Sequence, residues 1–327
     1  MTRDGIINLL KPAGMTSHDC VQLLRRLTGI KRIGHTGTLD PMAVGVLPLC
    51  IGSAARITEY LDLDCKKYRC EMQLGLETDT QDIWGRVISD RRDGLVFDAG
   101  RITEVLNSFK GLISQLPPAY SAVRVNGKRL YEYARQGEAI DIKPRLVNIK
   151  SITVIRMDRD KKRVLFDVEC SKGTYIRTIC HDAGRILGCG AAMSCLIRTA
   201  SGAFTIENAV TIEELKEGNW ERYLLETDFP LIHFGSVTVN EERGKWYANG
   251  GMLRPRDVTV VKEPDMKDAC AVSDKREEYG RAYKVYLERD GSPGTKRFLG
   301  VAFRSDKDGS FKADKVFAAA AAETQDG

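Results

Sequence analysis

The amino-acid sequence predicts an α+β protein in which strands and flanking helices are followed by a smaller β-rich part. Lys67–Leu74 and Arg163–Cys170 alternate apolar and polar residues at every second position, as half-buried strands do. Thr16–Gly29 instead carries apolar residues at helical spacing between a capping residue and a terminal glycine. From about residue 233 short strand-like runs alternate with turns. A chain of 327 residues is long enough for two domains.

The first elements of the chain are a strand and a capped helix. Gly5–Leu10 is a short apolar run that a Lys-Pro-Ala-Gly turn ends. Thr16 or Ser17 can cap the helix that follows, and Gly29 closes it. This helix leads into the loop that contains Asp40.

Two further segments carry candidate site residues. The strand Lys67–Leu74 places Tyr68 at the start of its inner face, where it is either a core tyrosine or a site residue. The acidic loop around Asp82 is, by composition alone, typical of a solvated turn. The other first-domain elements are helices over Asp98–Phe109, Leu130–Gln136 and Glu213–Tyr223, and strands over Val147–Arg156 and Met193–Arg198.

A helix after Thr174 places a cation where the helix dipole disfavours it. Its inward residues are predicted to be Ile176, Ile179, Ala183 and Ile186. Arg177 falls in its first turn, which costs a few tenths to about 1 kcal/mol. A nearby carboxylate or phosphate would compensate, so Arg177 is a candidate site residue; a solvent-exposed arginine is the alternative.

The C-terminal part is predicted to be a small barrel-like β domain. Its strand-like runs are Val237–Val239, Val258–Val261, Tyr283–Leu287 and Phe298–Phe303, with a turn at Asp290-Gly291. The segment 262–281 is longer and more charged than such a barrel needs. We expect a first domain over residues 1–230, a second over 231–316 and a disordered tail over 317–327.

Composition limits the class of protein only loosely. The net charge of +5 and the pI of about 8.6 permit a nucleic-acid partner without requiring one. Nine cysteines without CxxC spacing are expected to be reduced and mostly buried, so no metal site is predicted. The sequence shows neither an apolar run of membrane-spanning length nor a signal-peptide pattern, which predicts a cytoplasmic protein without a membrane partner.

The most informative stretch is Lys31–Gly52, in which Asp40 is the single acidic residue among four glycines and two prolines. Pro41 biases Asp40 toward an extended or turn conformation. Glycines permit tight backbone shapes and the close approach of a ligand. The stretch therefore presents one carboxylate on a stiff loop near basic residues, although an aspartate that caps its own turn has the same pattern.

The run GHTGTLDPMAVGVLPLCIGSAAR resembles the nucleophile motif of the TruB family of pseudouridine synthases, which isomerise a uridine in the T loop of tRNA. The preceding GIINLLKPAGMTSHDCV resembles the N-terminal motif of that family. Three more blocks follow in the family's order: KKYRCEMQLGLETDTQDIWG, PPAYSAVRVNGKRLYEYARQG and CSKGTYIRTICHDAGRILGCGA. The resemblance covers roughly residues 5–205 and implies a mixed, mainly antiparallel catalytic sheet. More weakly, the C-terminal part resembles the PUA-type RNA-binding domain.

The resemblance also implies roles for individual residues. Asp40 would be the nucleophile, with Arg177 as its ion-pair partner and Tyr68 as the active-site tyrosine. Substrate-binding residues would be His35, Asp82, Tyr175 and Leu196. Basic residues that would hold phosphates are Lys31, Arg32, Lys128, Arg129 and Arg135. The long block between Tyr68 and Pro117 favours the standalone enzyme, which would act as a monomer on uridine 55 of the tRNA T stem-loop without an obligate protein partner.

Isomerising uridine needs no redox step or group donor, so no cofactor is expected. An aspartate has an ordinary pKa near 3.9 and is ionised at neutral pH, so we expect a cation mainly to aim the carboxylate and to offset its burial. The alternatives are an RNA-folding chaperone that uses the same surface, which is compatible with the enzyme, and the RNA-guided relative that works within a ribonucleoprotein.

Overall fold

A computed structural model describes residues 4–138, 140–270, 275–288 and 296–317. The strands are β1 (Gly5–Lys11), β2 (Ile33–His35), β3 (Val44–Ile51), β4 (Lys66–Leu74), β5 (Leu76–Thr78), β6 (Val87–Asp90), β7 (Gly111–Gln115), β8 (Arg124–Val125), β9 (Lys128–Arg129), β10 (Arg145–Asp158), β11 (Arg163–Cys170), β12 (Ala191–Ser201), β13 (Phe204–Thr205), β14 (Gly235–Val239), β15 (Thr259–Lys262), β16 (Ala282–Glu288), β17 (Lys296–Arg304) and β18 (Phe311–Val316). The α-helices are α1 (Ser17–Thr28), α2 (Ala99–Asn107), α3 (Leu130–Gln136), α4 (Ile176–Leu187), α5 (Ile212–Lys216), α6 (Glu241–Ala248) and α7 (Lys275–Tyr279). A 3₁₀ segment of 12 residues lies at Gly52–Leu63, and shorter ones lie at Ile206–Asn208, Trp220–Tyr223 and Pro255–Asp257.

The larger sheet is mixed and mainly antiparallel, as predicted. Its strands run in the order β1-β3-β12-β4-β11-β10-β7, with β2 paired to β3 and β13 paired to β12. Within it β12 and β3 are parallel, whereas the other pairs are antiparallel. Helix α4 packs on β12, and α2 packs on α4. This order places the loop between β2 and β3, the strand β12 and the strand β4 next to one another.

The structure confirms the predicted ends of helix α1 and the predicted inner face of strand β4. Thr16 caps α1 and forms a capping box with Asp19, and Gly29 ends the helix in the left-handed conformation. On β4 the side chains of Tyr68, Cys70, Met72 and Leu74 are buried. The alternation of the sequence therefore identified the inner face of β4 correctly.

The smaller sheet has the order β15-β14-β16-β17-β18. It contains one strand, β18, that the sequence pattern did not predict, and α6 lies against β16 and β17. The aromatic rings of Tyr60, Phe234 and Tyr279 pack against one another at centroid distances of 5.4 to 5.9 Å. The charged segment 262–281 thus supplies Tyr279 to a cluster shared with the 3₁₀ segment Gly52–Leu63.

Several expectations are wrong. Ile186 is 48 % exposed, because α4 turns this position away from the sheet. The helix expected over Glu213–Tyr223 is two short pieces, α5 and a 3₁₀ turn. Phe317 packs on Phe298 and does not begin a disordered tail; residues 318–327 and the Asp290-Gly291 turn lie outside the described residues.

The expectation that all cysteines are reduced is also wrong. Cys65 and Cys270 form a disulfide across a sequence separation of 205 residues. The backbone nitrogen of Cys270 donates a hydrogen bond to the Leu63 carbonyl at 2.8 Å, which holds the two segments side by side. A pairing over such a separation leaves no spacing signal in the sequence. The seven other cysteines are free thiols, and six of them are buried.

Candidate active site

The loop that carries Asp40 is fixed by residues of the N-terminal turn and of α1. The buried Lys11 ammonium donates a hydrogen bond to the Pro41 carbonyl at 2.9 Å. The Ser17 hydroxyl accepts from the Leu39 backbone nitrogen at 2.9 Å and donates to the Leu39 carbonyl at 3.2 Å. Residues on both sides of Asp40 are thus held, which restricts where the carboxylate can point.

Arg177 reaches the Asp40 carboxylate from the first turn of α4. Its Nε lies 2.9 Å from Asp40 Oδ2, and its Nη2 donates to Oδ1 at 3.4 Å. The same guanidinium donates to the carbonyls of Thr80 and Tyr120 at 3.0 Å each, and its Nη1 lies 3.4 Å from Asp82 Oδ2. The carboxylates of Asp40 and Asp82 therefore supply the negative charge that was expected beside a cation at this helix end.

The Asp40 carboxylate is surrounded by protein and yet accessible. Its side chain keeps 37 % of its surface exposed, whereas the Arg177 side chain keeps only 6 %. Burial raises the pKa of Asp40 above its ordinary value, Arg177 opposes this effect, and the charge of Asp82 adds to it. The guanidinium therefore offsets the burial of the carboxylate without bringing its pKa below the ordinary value, and the exposed side of the carboxylate can meet a substrate.

Tyr68 lies on β4, with its side chain buried and its backbone paired to Arg198 of β12. Burial raises the pKa of the Tyr68 phenol, the nearby Arg198 guanidinium opposes that rise, and the Asp40 charge adds to it. The Tyr68 hydroxyl therefore lies within electrostatic reach of both the Asp40 carboxylate and the Arg198 guanidinium.

Asp82 departs from the expectation of a solvated turn. It is 9 % exposed, and its Oδ1 accepts hydrogen bonds from the Thr80 hydroxyl at 2.7 Å and the Trp84 backbone nitrogen at 3.1 Å. Its other oxygen faces Arg177. Turn-like composition did not reveal this burial, because the loop contacts distant parts of the chain, namely Arg177 and Thr178 of α4 and Met193 of β12.

The other predicted substrate-binding residues occupy the surrounding elements. Leu196 is buried on β12, and Tyr175 is the N-cap of α4, where Gln115 binds its backbone. His35 ends β2, and its Nδ1 is buried without a hydrogen-bond partner among the described residues. Burial and the Arg198 charge lower the pKa of His35, so its imidazole is neutral at pH 7.

The predicted phosphate-binding residues are all on the surface. The exposed positions are Lys31, Arg32, Lys128, Arg129 and Arg135. In the hairpin β8–β9 and helix α3, two guanidinium groups lie 5.5 and 5.9 Å from the ring centre of Tyr131, and a lysine ammonium lies 5.3 Å from that of Tyr133. The structure thus interleaves cations and aromatic rings at this surface.

Sequence reasoning missed the two buried cations that bind the Asp40 loop, Lys11 and Arg198. Lys11 is 0 % exposed and lies in the segment that we interpreted only as a turn. Arg198 is 2 % exposed and occupies the same face of β12 as Leu196. The two-residue alternation of a strand could have identified Arg198 as an arginine on an apolar face.

Neither a metal site nor a membrane span was found among the described residues. The one group of three suitable ligands there is Cys65, Glu169 and Cys270, and its two sulfur atoms are bonded to each other. No helix within the described ranges is long and apolar enough to cross a membrane.

Comparison with known proteins identifies the fold class. A chain in the structure of an H/ACA RNP bound to a substrate RNA containing 2'-deoxyuridine matches with a TM-score of 0.68 and 23 % identity, over 97 % of this chain and 86 % of its own. A chain of a Cbf5-Nop10-Gar1 complex matches with a TM-score of 0.69 and 23 % identity, over 96 % and 85 %. These matches show the pseudouridine synthase fold.

Sequence comparison then identifies the family. The model of the TruB family pseudouridylate synthase (N terminal domain) matches residues 25–176, and that of the tRNA pseudouridylate synthase B C-terminal domain matches residues 177–232. A tRNA pseudouridine synthase B of Alkaliphilus oremlandii is 46 % identical over 83 % of this chain and 90 % of its own. That of Clostridioides difficile is 42 % identical over 95 % and 99 %. The chain belongs to the TruB family and is a tRNA pseudouridine synthase, an isomerase that acts on tRNA.

Proposed function

We propose that this enzyme converts uridine 55 in the T loop of tRNA to pseudouridine, with Asp40 as the nucleophile. The observation that carries the proposal is the Arg177–Asp40 ion pair, in which a buried guanidinium holds a carboxylate that keeps 37 % of its side chain exposed. A carboxylate so held is aimed before the substrate arrives, which is a general source of catalytic rate.

The reaction breaks the bond between N1 of the base and C1′ of the ribose, rotates the base and rejoins it through C5. Asp40 adds to the ring or the sugar and later leaves, so that no external group donor is consumed. Tyr68, whose hydroxyl lies within the influence of the Asp40 charge, assists proton removal or stacks on the uracil.

The base has to leave its stack before Asp40 can reach it, at a cost of a few kcal/mol. Stacking on Tyr68 and His35, worth about 1–3 kcal/mol for each ring, is sufficient to offset that cost. We assign Leu196 to packing on the uracil face. The uracil edge is hydrogen-bonded by Tyr175 and Asp82, whose carboxylate is already oriented by Thr80 and Arg177.

The rest of the T stem-loop is bound by surface cations. Phosphates contact the exposed basic residues, which set position and salt dependence more than sequence choice. These residues are Lys31, Arg32, Lys128, Arg129 and Arg135. We assign the smaller sheet, β14–β18, to a PUA-like RNA-binding domain, and we propose that the enzyme works as a monomer without an obligate protein partner.

The proposal is tested with purified protein and a T-loop transcript, without added cofactor, by mapping pseudouridine by mass or chemistry. Asp40→Asn should form no pseudouridine and should keep its affinity for tRNA. The control Asp98→Asn changes the N-cap of α2 to another good cap, so its turnover should match wild type. Turnover by pure Asp40→Asn protein, or a product at another uridine, would overturn this assignment.

A second role as a tRNA-folding chaperone is compatible with the first. The cation and aromatic surface of β8, β9 and α3 contains none of the residues of the Asp40–Arg177 ion pair. We therefore expect Asp40→Asn to restore the fold of a misfolded tRNA as well as wild type does. Loss of that activity in Asp40→Asn would contradict the chaperone role. If wild-type protein modified the tRNA transcript only when a guide RNA was added, the hypothesis of an RNA-guided enzyme would replace that of a standalone enzyme.

A further inference from the structure

Arg198 is a buried arginine whose guanidinium donates hydrogen bonds to the backbone of the Asp40 loop. Its Nε donates to the Val46 carbonyl at 2.7 Å, and its Nη2 and Nη1 donate to the carbonyls of Gly37 and Thr38 at 3.1 and 3.4 Å. These acceptors lie on both sides of Asp40 in the chain. Among the described residues no carboxylate forms an ion pair with Arg198, so the hydrogen bonds of this buried guanidinium go mainly to backbone carbonyl groups.

The same arginine also contacts the strand of the active-site tyrosine. In the ladder between β12 and β4, Arg198 is directly opposite Tyr68. The guanidinium lies close enough to the phenol to offset part of the rise in the pKa of Tyr68 that burial causes, although that pKa stays above its ordinary value. On the other edge of β12, Arg198 pairs in parallel with Gly45 of β3, which brings the backbone that follows the Asp40 loop against β12.

We propose that Arg198 is a positioning residue for the isomerisation, which holds the Asp40 loop and the Tyr68 phenol in one fixed arrangement. This inference rests on the proposed roles of Asp40 and Tyr68. Arg198 acts through these two residues and is itself buried beneath them, so it does not meet the RNA. A change at this position should therefore affect turnover and not affinity.

The test compares Arg198→Met and Arg198→Lys in wild-type and Tyr68→Phe backgrounds, with pseudouridine formation in a T-loop transcript as the readout. Arg198→Met should lower kcat by about 10²-fold, the scale expected when reacting groups are misplaced by about 1 Å, while KM stays within about threefold. Arg198→Lys should recover part of kcat, since an ammonium can still donate to some of the carbonyls. Because the effects of substitutions at neighbouring residues couple, Arg198→Met should lower kcat by a smaller factor in the Tyr68→Phe background than in the wild-type background.

Arg163→Met is the matched control, because it removes an arginine of the same sheet that binds Gln73 and Glu71 and no part of the Asp40 loop. It should lower stability without changing kcat of the folded protein. Unchanged kcat in both Arg198 variants, or an equal loss in both backgrounds, would overturn the inference. If Arg198→Met does not fold, Arg198→Lys decides alone. Failure of the wild-type reaction, or turnover by Asp40→Asn, would instead count against the proposed function.

Discussion

Replacing Arg177 by methionine should reveal how far this guanidinium compensates for two carboxylates. The variant loses the contacts to Asp40 at 2.9 Å and to Asp82 at 3.4 Å, and leaves two like charges near each other. It also leaves the carbonyls of Thr80 and Tyr120 without their donor. We expect both a loss of stability and a change in the pH dependence of activity.

The size of the stability loss follows from the exposure of the partners. Breaking a fully buried pair costs about 3–5 kcal/mol, and an exposed pair contributes up to about 1 kcal/mol. Asp40 keeps 37 % of its side chain in solvent whereas Arg177 keeps 6 %, so an intermediate loss of about 2 kcal/mol is expected at neutral pH. The variant also no longer aims the Asp40 carboxylate, which we propose as the nucleophile, and this should lower kcat by about 10²-fold.

The sign of the pH effect follows from the raised pKa of Asp40. A carboxyl whose folded pKa lies above its unfolded value binds a proton more readily when folded, so its ionised form opposes folding above that pKa. Without Arg177 the pKa rises further. The loss of stability should therefore be greatest at neutral pH and decrease as the pH falls, and the acid limb of activity should move to higher pH.

Urea unfolding at pH 7.5 and pH 5, together with the pH profile of kcat/KM, measures both effects. Arg163→Met is the control, since it breaks an ion pair with Glu71 at 3.1 Å away from Asp40 and should leave the acid limb in place. A stability loss in Arg177→Met that stays constant or grows toward pH 5 would refute this account of Asp40. An unmoved acid limb would do the same.

Two further predictions concern the scaffold. Gly45→Ala should destabilise the protein by more than about 2 kcal/mol in urea unfolding, because φ is +115° and a Cβ would lie 2.2 Å from the Arg198 carbonyl oxygen. The control Gly94→Ala, at φ +75° with nothing within 4 Å of its Cβ, should cost about 1–2 kcal/mol. Equal losses of stability in the two variants would contradict the predicted clash. Dithiothreitol should lower the stability of wild type by about 2–4 kcal/mol through reduction of the bond between Cys65 and Cys270, and should leave Cys65→Ser unchanged. A reductant effect of the same size in Cys65→Ser would exclude the disulfide as its cause.

Local sequence patterns were sufficient for the elements that build the site. The alternation of Lys67–Leu74 identified the buried face that carries Tyr68, because successive strand residues point to opposite faces of a sheet. The caps of α1 at Thr16 and Gly29 follow from backbone geometry that a few neighbouring residues set. Even the need for an anion near Arg177 could be inferred from the helix dipole alone.

The identity of that anion could not be inferred from periodicity, because Asp40 lies 137 residues earlier in the chain. The motif resemblance suggested the pair, and the order of the strands brings it together. The burial of Asp82 likewise depends on contacts that Arg177 of α4 and Met193 of β12 make with a loop whose composition is that of a surface turn.

Residue patterns were enough to locate most local elements and the single acid on its stiff loop, and five ordered motifs indicated the family. Only the folded chain shows that the buried Lys11 and Arg198 bind the backbone of that loop and that Cys65 meets Cys270. The physical reason is that periodicity reports which side of an element is apolar, whereas the partner of a buried charge or thiol depends on which distant segments the sheet order brings together.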